Sequence, residues 1–424
     1  MSSESFVRPT AQRALRTTVG AAALLLALSS CGGYGNGNNC YGCFATFNVP
    51  NSIAVADVNG DGVPDLVVAT TTEQGGTVNA PGFANVILGK PGAAGTFATG
   101  VQYATGAMQP SSIAVADLTG TGALDLVVAN YGSGSVSIFT PGATAGTYQA
   151  AVNVMTGGAP NQVVIGDLNG DGKPDLVLAD LSAAGNAIVL LQDPAHPGQF
   201  LAPVMLSTGR FTSSVAIGDL NGDGKPDIVA ATYDANGNNG AVYVFLQNAT
   251  TPGSFLAPVI FAAGAQPQAV RIADVNGDGL PDLIVANLGP GFDGIGVAGV
   301  SVLLQDPAHP GSFLAPVTYA TPQGAIDVAV GDLNGDGKPD LVVASVDPDP
   351  TGSVSVLLQN PAQAGTFLTA TSYAGFGQPL SVAIADLNGD GHPDIAVADG
   401  STATVLFQVA TSPGTFAAPV QVGQ

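Results

Sequence analysis

The sequence contains no tryptophan, only two glutamates (Glu4 and Glu73), three histidines and three cysteines, and just 9% of its 424 residues are charged. The histidine shortage weighs against acid–base and nucleophilic catalysis. His196 and His309 lie in identical DPAHPG turns, His392 sits inside a recurring acidic loop, and no Ser–His–Asp order, zinc motif or phosphate-cradling loop stands out. Helix formers other than alanine are scarce, while valine, 58 glycines and 30 prolines favour short strands and tight turns. A general acidic bias would use both acids, yet 29 of the 31 are aspartate, so aspartate serves a local purpose. The net charge of −22 weighs against nucleic acid and anionic membrane surfaces as partners. The length allows two or three ordinary domains or one large all-β unit.

Residues 1–30 read as a secretory signal: Arg8, Arg13 and Arg16, then the apolar run VGAAALLLAL (19–28), too short to cross a bilayer as a mature helix. The end of this segment, LSSC, resembles the lipobox of bacterial lipoproteins, which implies lipidation of Cys31, the alternative being an ordinary signal with a chance cysteine. Gly32, in place of the aspartate that favours inner-membrane retention, points to the outer membrane or surface of a Gram-negative cell. Residues 31–50 are expected to form a tether, opening with GGYGNGNN. It contains Cys40 and Cys43, expected to form a small local disulfide, the alternative being no specific role. No histidine follows them to mark a haem site.

The rest of the chain, 51–424, repeats itself. An acidic nonapeptide begins at Asp57, Asp117, Asp167, Asp219, Asp274, Asp332 and Asp386, at intervals of 60, 50, 52, 55, 58 and 54 residues. Each unit also carries a turn such as QDPAHPGSF that ends in an aromatic: Phe97, Tyr148, Phe200, Phe255, Phe313, Phe367 or Phe416. Periods of this length mark propellers or solenoids. Each unit reads as four strands; in the sixth they are AIDVAVGD (325–332), DLVVAS (340–345), GSVSVLLQ (352–359) and FLTATSYA (367–374). The second is apolar on both faces, as a strand covered on both sides must be. Seven units therefore predict an all-β, seven-bladed β-propeller of four-stranded antiparallel blades. The ring is expected to close by packing of blade seven on blade one. The segment FATFNVP (44–50) is expected to lie along the outer edge of blade seven or to cover it.

In D-x-N-G-D-G-x-P-D, side-chain oxygens come from positions 1, 3, 5 and 9, a carbonyl from position 7, and glycines at 4 and 6 permit the turns. This oxygen-rich, anionic loop suits Ca²⁺. It is similar to the first part of an EF-hand loop, without the glutamate at position 12 or the flanking helices. A hydrogen-bonded Asx turn without metal is the alternative. With these motifs, the chain resembles the FG-GAP or VCBS repeat family, the β-propellers related to the head of integrin α subunits. The resemblance implies about six structural Ca²⁺ sites in loops joining the first two strands of each blade. The ligand sets would be Asp57, Asn59, Asp61, Val63 and Asp65; Asp167, Asn169, Asp171, Lys173 and Asp175; and Asp219, Asn221, Asp223, Lys225 and Asp227. The remaining three would be Asp274, Asn276, Asp278, Leu280 and Asp282; Asp332, Asn334, Asp336, Lys338 and Asp340; and Asp386, Asn388, Asp390, His392 and Asp394, position 7 acting through its carbonyl throughout. The second loop, DLTGTGALD (117–125), has Thr119 and Thr121 for Asn and Asp and lacks the proline, so it is expected to bind metal weakly or not at all. Removing residues 1–30 takes away three Arg and one Glu and makes the charge −24, which six Ca²⁺ would halve.

In such blades the acidic loops and the uniform turns share one face, and loops of variable length, chiefly 70–85 and 287–299, occupy the other. Recognition is expected on that variable face, with Phe83, Tyr131, Arg210, Phe211, Tyr233, Phe292 and Phe376 as candidate contacts. The reading is an exported, lipid-anchored module that binds a protein or glycan. The alternative is a polysaccharide-acting enzyme of lyase or glycosidase type.

Overall fold

The apolar run after each acidic loop forms a strand whose first six residues are all buried, for example Asp125–Asn130, Asp175–Asp180 and Asp282–Asn287. Only a sheet covered on both faces buries a strand in this way. The structure, a computed structural model, describes residues 46–74, 80–235, 237, 239–289, 298–322, 324–346, 352–400 and 402–423. Among these residues the chain forms seven four-stranded antiparallel sheets, each built from four consecutive strands. In the first, the strands are β1 (Thr46–Ala56), β2 (Asp65–Gln74), β3 (Pro81–Ile87) and β4 (Val101–Met108). The later blades span 110–155, 160–207, 211–264, 267–320, 324–376 and 379–422. This is the expected seven-bladed propeller.

The core lies between blades. Each of seven apolar clusters joins two neighbours. The cluster of Ile53, Leu66 and Ile87 with Leu387, Ala396 and Val405 joins blade 1 to blade 7 and closes the ring. Each fully buried Val or Leu contributes about 1.5–3 kcal/mol, so closure needs no exchanged strand. The turn aromatics seal the same seams from outside: Tyr148 meets Tyr103, Phe313 meets Phe261, Phe367 meets Tyr319 and Phe416 meets Tyr373, edge to face, always across to the preceding blade.

A polar belt links the innermost strands. The first strand of each blade carries a β-bulge opposite the end of the second. At six of the seven junctions the side chain just after the bulge accepts a backbone N–H of the next blade. Ser52 accepts from Ile113, Ser112 from Val163, Gln162 from Val215, Ser214 from Val270, Asp327 from Val382 and Ser381 from Ile53, at 2.7–3.5 Å. The seventh position is Ala269, which has no acceptor to offer.

Three expectations need correction. Residues 46–50 do not lie on blade seven; they extend β1, pairing with Thr70–Gln74 of β2. The fourth strand of the sixth blade begins at Thr371, not Phe367, because Phe367 makes only an isolated bridge to Gln359. Much of the stretch 70–85 is strand, since β2 runs to Gln74 and β3 starts at Pro81.

Candidate metal loops and recognition face

The six full loops share one hydrogen-bond pattern. In the sixth blade, Asp332 Oδ1 accepts the N–H groups of Gly335 and Asp336, and its Oδ2 accepts that of Gly337, at 2.7–3.2 Å. Asn334 Oδ1 accepts Asp336 N–H at 2.8 Å and Asp336 Oδ1 accepts Lys338 N–H at 2.9 Å. Gly335 and Gly337 have φ of 76° and 80°, a region that strains residues with a Cβ. The same contacts recur around Asp57, Asp167, Asp219, Asp274 and Asp386.

Position 9 is different in kind. Asp65, Asp175, Asp227, Asp282, Asp340 and Asp394 are fully buried. Their Oδ2 accepts the N–H of position 2, and their Oδ1 accepts an N–H from just beyond the third strand, as Asp340 does from Leu333 and Gln359. Burial pushes Asp65, Asp227, Asp282 and Asp394 up to about 6; the N–H groups pull back, and the carboxylates at positions 5 and 1 add to the rise. Asp175 and Asp340 move the same way for the same reasons. Three mutually repelling carboxylates in one loop are the electrostatic condition that a divalent cation relieves. The lysines at position 7 do not supply that relief, because Lys173, Lys225 and Lys338 reach outward to the carbonyls of Pro194, Ala249 and Pro361.

The donor set fits a hard cation in chemistry and number. As they stand, the side chains at positions 1, 3 and 5 are turned onto loop N–H groups. No three acidic, imidazole or thiol groups are in an ion-holding arrangement among the described residues.

Sequence reading missed the partner of position 9. Gln192, Gln247, Gln305, Gln359 and Gln408 each donate a backbone N–H to that aspartate and Nε2 to the proline carbonyl at position 8. Gln247, Gln359 and Gln408 also donate to the position-2 carbonyl of the preceding blade's loop, Leu168, Val275 and Leu333. The signal was present in the sequence, since five of the seven turns begin with glutamine, as QDPAHPGSF does.

The second blade departs here as well. Pro141 stands where the glutamine would be and has no N–H, so the buried Asp125 Oδ1 has no partner. The vacated carbonyl, Leu124 O, instead accepts the hydroxyl of Tyr148, the one tyrosine among the seven turn aromatics. The histidines hold turns together: His196 and His309 pair through Nδ1 with Asp193 and Asp306 at 2.8 Å and are exposed.

On the variable face, Arg210, Phe211 and Tyr233 come together on blade 4. Phe376 is core, Phe83 lies in β3, and Tyr131 is fixed by its backbone bond to Gln109. Phe292, Cys31, Cys40 and Cys43 lie outside the described residues. No helix of the described residues is long and apolar enough to cross a membrane.

Comparison with known proteins agrees with this geometry. The family profile for the FG-GAP-like repeat matches residues 117–178, 167–230, 229–285, 294–343 and 333–397, and that for the FG-GAP repeat matches 49–100. Integrin alpha-7 of Homo sapiens is 32% identical over 187 residues, covering 38% of this chain and 14% of its own length. Integrin alpha-IIb of Mus musculus is 32% identical over 148 residues, covering 31% of this chain and 14% of its own. This chain thus spans only a small part of those relatives. A candidate 6-phosphogluconolactonase from Bacteroides fragilis NCTC 9343 superposes with a TM-score of 0.54 over 91% of this chain and 97% of its own, at 13% identity, a likeness of fold alone. With six matched segments between residues 49 and 397 and an acidic loop in each of its seven four-stranded blades, the chain belongs to the FG-GAP-like repeat family.

Proposed function

We propose that this propeller is an exported, calcium-stabilised binding module whose variable-loop face recognises a protein or glycan at the cell envelope. The observation that carries this reading is the contrast between the two faces. One repeats the same loop and turn geometry in blade after blade. The other varies in loop length and presents Arg210, Phe211 and Tyr233 together. Recognition usually resides in variable loops on a rigid scaffold. The six acidic loops would hold Ca²⁺ through the side chains at positions 1, 3, 5 and 9 and the carbonyl at 7, each ion screening carboxylates that repel one another. The signal-like segment 1–30 and the LSSC sequence support export with a lipid at Cys31, and an oxidising compartment would permit a Cys40–Cys43 disulfide.

The test is a pull-down from cell-surface extract and a glycan array, both in calcium, with residues 46–424. Replacing variable-face loops by glycine–serine segments should abolish capture, and altering exposed residues of the opposite turns should not. Capture lost equally from both faces would overturn the reading.

A further inference from the structure

The first strands of the seven blades contain just two charged residues, Arg271 in blade 5 and Asp327 in blade 6. In every blade one residue of the first strand pairs with the third residue of the second. It is alanine in five blades and valine in another; in blade 5 it is Arg271. Arg271 pairs with Asp327, yet the polar belt needs only a hydroxyl at such a junction, as Ser52, Ser112 and Ser214 supply elsewhere. Pairing alone does not account for a guanidinium on the channel wall.

Beside Arg271 lies a cavity of about 620 Å³, between the first strands of blades 5 and 6 and the acidic loop of blade 6. Small-molecule sites fall in this range of size, and like them it is mainly apolar, with walls from Ile272, Ala329, Val330 and Pro339. Four charged side chains also line it, and three are already committed. Asp274 and Asp332 each accept three N–H groups of their own loops. Lys338 sends its ammonium to Pro361 O. Arg271 is part-exposed and uses one N–H on Val270 O and one on Asp327 Oδ1. Its other three guanidinium N–H groups have no protein partner among the described residues. Asp327 meanwhile divides its charge among Arg271 and the N–H groups of Val328 and Val382.

We propose that this cavity binds a small organic carboxylate, its head on the Arg271 guanidinium and its hydrocarbon body along the apolar walls of blades 5 and 6. A planar fork of N–H donors matches a carboxylate in shape and charge. The spare groups here are donors on a cation, which selects against amines and gives an anion the advantage over an alcohol. The apolar walls favour a hydrocarbon body over a polyhydroxylated one. The site lies at the acidic-loop end of the channel and is independent of recognition on the variable face.

The experiment titrates the metal-free protein, so that no carboxylate is drawn to an ion in the loops. The probes are hexanoate, hexylamine, hexan-1-ol and glucuronate, followed by calorimetry and by NMR of the arginine Nε–H groups. Hexanoate should bind roughly tenfold or more tighter than the other three. The Arg271 Nε–H resonance should move with hexanoate and stay still with hexan-1-ol, a readout on the wild type alone. The Arg271→Ala/Asp327→Ser double variant removes the guanidinium and keeps an acceptor for blade 7. It should lose roughly tenfold or more in hexanoate affinity. Equal binding of hexan-1-ol would overturn recognition of the anion, and equal binding of glucuronate the role of the apolar walls. Hexanoate held as tightly by the double variant, or an unmoved Arg271 resonance at saturation, would overturn the site. Failure of hexanoate to bind would overturn the proposal as a whole.

Discussion

Arg271 donates through Nη2 to Asp327 Oδ1 at 2.5 Å, across the junction of blades 5 and 6. That is the junction at which Ala269 breaks the inner belt. Asp327 serves two neighbours: Oδ1 takes Arg271 and its adjacent Val328 N–H, while Oδ2 takes Val382 N–H of blade 7. An ion pair has replaced a serine contact where the serine is missing.

Arg271→Ala should therefore leave a nearly buried carboxylate without its cation. Breaking a buried pair costs about 3–5 kcal/mol; with the arginine side chain 31% exposed, about 2 kcal/mol is the expected loss. Adding Asp327→Ser, which restores the acceptor found in other blades, should recover more than half of it. Denaturant unfolding checks this, and simple additivity of the two losses would show that the pair is not the relevant unit.

Chelation should lower the melting midpoint. Six sites at tenfold their dissociation constant contribute about 1.4 kcal/mol each, about 8 kcal/mol together, comparable to the whole stability of a domain. Calorimetric titration should saturate at six ions, and Thr119→Asn with Thr121→Asp should raise the count by one. An unmoved midpoint in chelator would count against calcium, and seven equal sites in the wild type against the reading of the second loop.

Tyr148→Phe should cost about 1 kcal/mol, because Leu124 O loses its donor. Pro141→Gln in that background should restore stability by supplying both an N–H for Asp125 and an amide for Leu124. Thermal melts of the two variants decide it; a neutral Tyr148→Phe would mean the hydroxyl contributes nothing.

Asp399 gives a pH signature. Burial raises its pKa, opposed less strongly by the N–H groups of Gly377 and Gln378, and its Oδ1 has no partner. A carboxyl raised on folding contributes stability below its unfolded value and loses that contribution as pH climbs through the folded value. Asp399→Asn should therefore stabilise at neutral pH, with a gain that grows upward from about pH 4. Asn130 and Asn287 already occupy the same strand-end position in blades 2 and 5. A gain independent of pH would assign the effect to something other than ionisation.

The blade count and strand order were legible because they are written in local chemistry, repeated seven times. Each nonapeptide must turn, and each valine-rich run after it must be covered. What stayed hidden was between blades. Ser52, Ser112 and Ser214 look like ordinary strand serines until a neighbouring sheet brings an N–H to them. The fate of residues 46–50 was equally illegible. Their apolar alternation fits any strand edge, and only the length of β2 beyond Ala69 shows which one takes them. Arg210, Phe211 and Tyr233 were each visible as loop residues, but their meeting depends on register across the end of two strands.

The bulge in β1 also has a mechanical meaning. It divides the ladder to β2 into two runs of five pairs, with Asn51 between them bonded to Thr71 and to Pro110 O of blade 2. Tension entering from the N-terminal side of Thr46 meets the run 46–50 first. That run can be drawn out and re-formed while Ser52, Ile53 and their contacts with blades 2 and 7 stay in place. Were the chain anchored on that side, as proposed above, this run would act as a fuse, lengthening under load before the ring is asked to open.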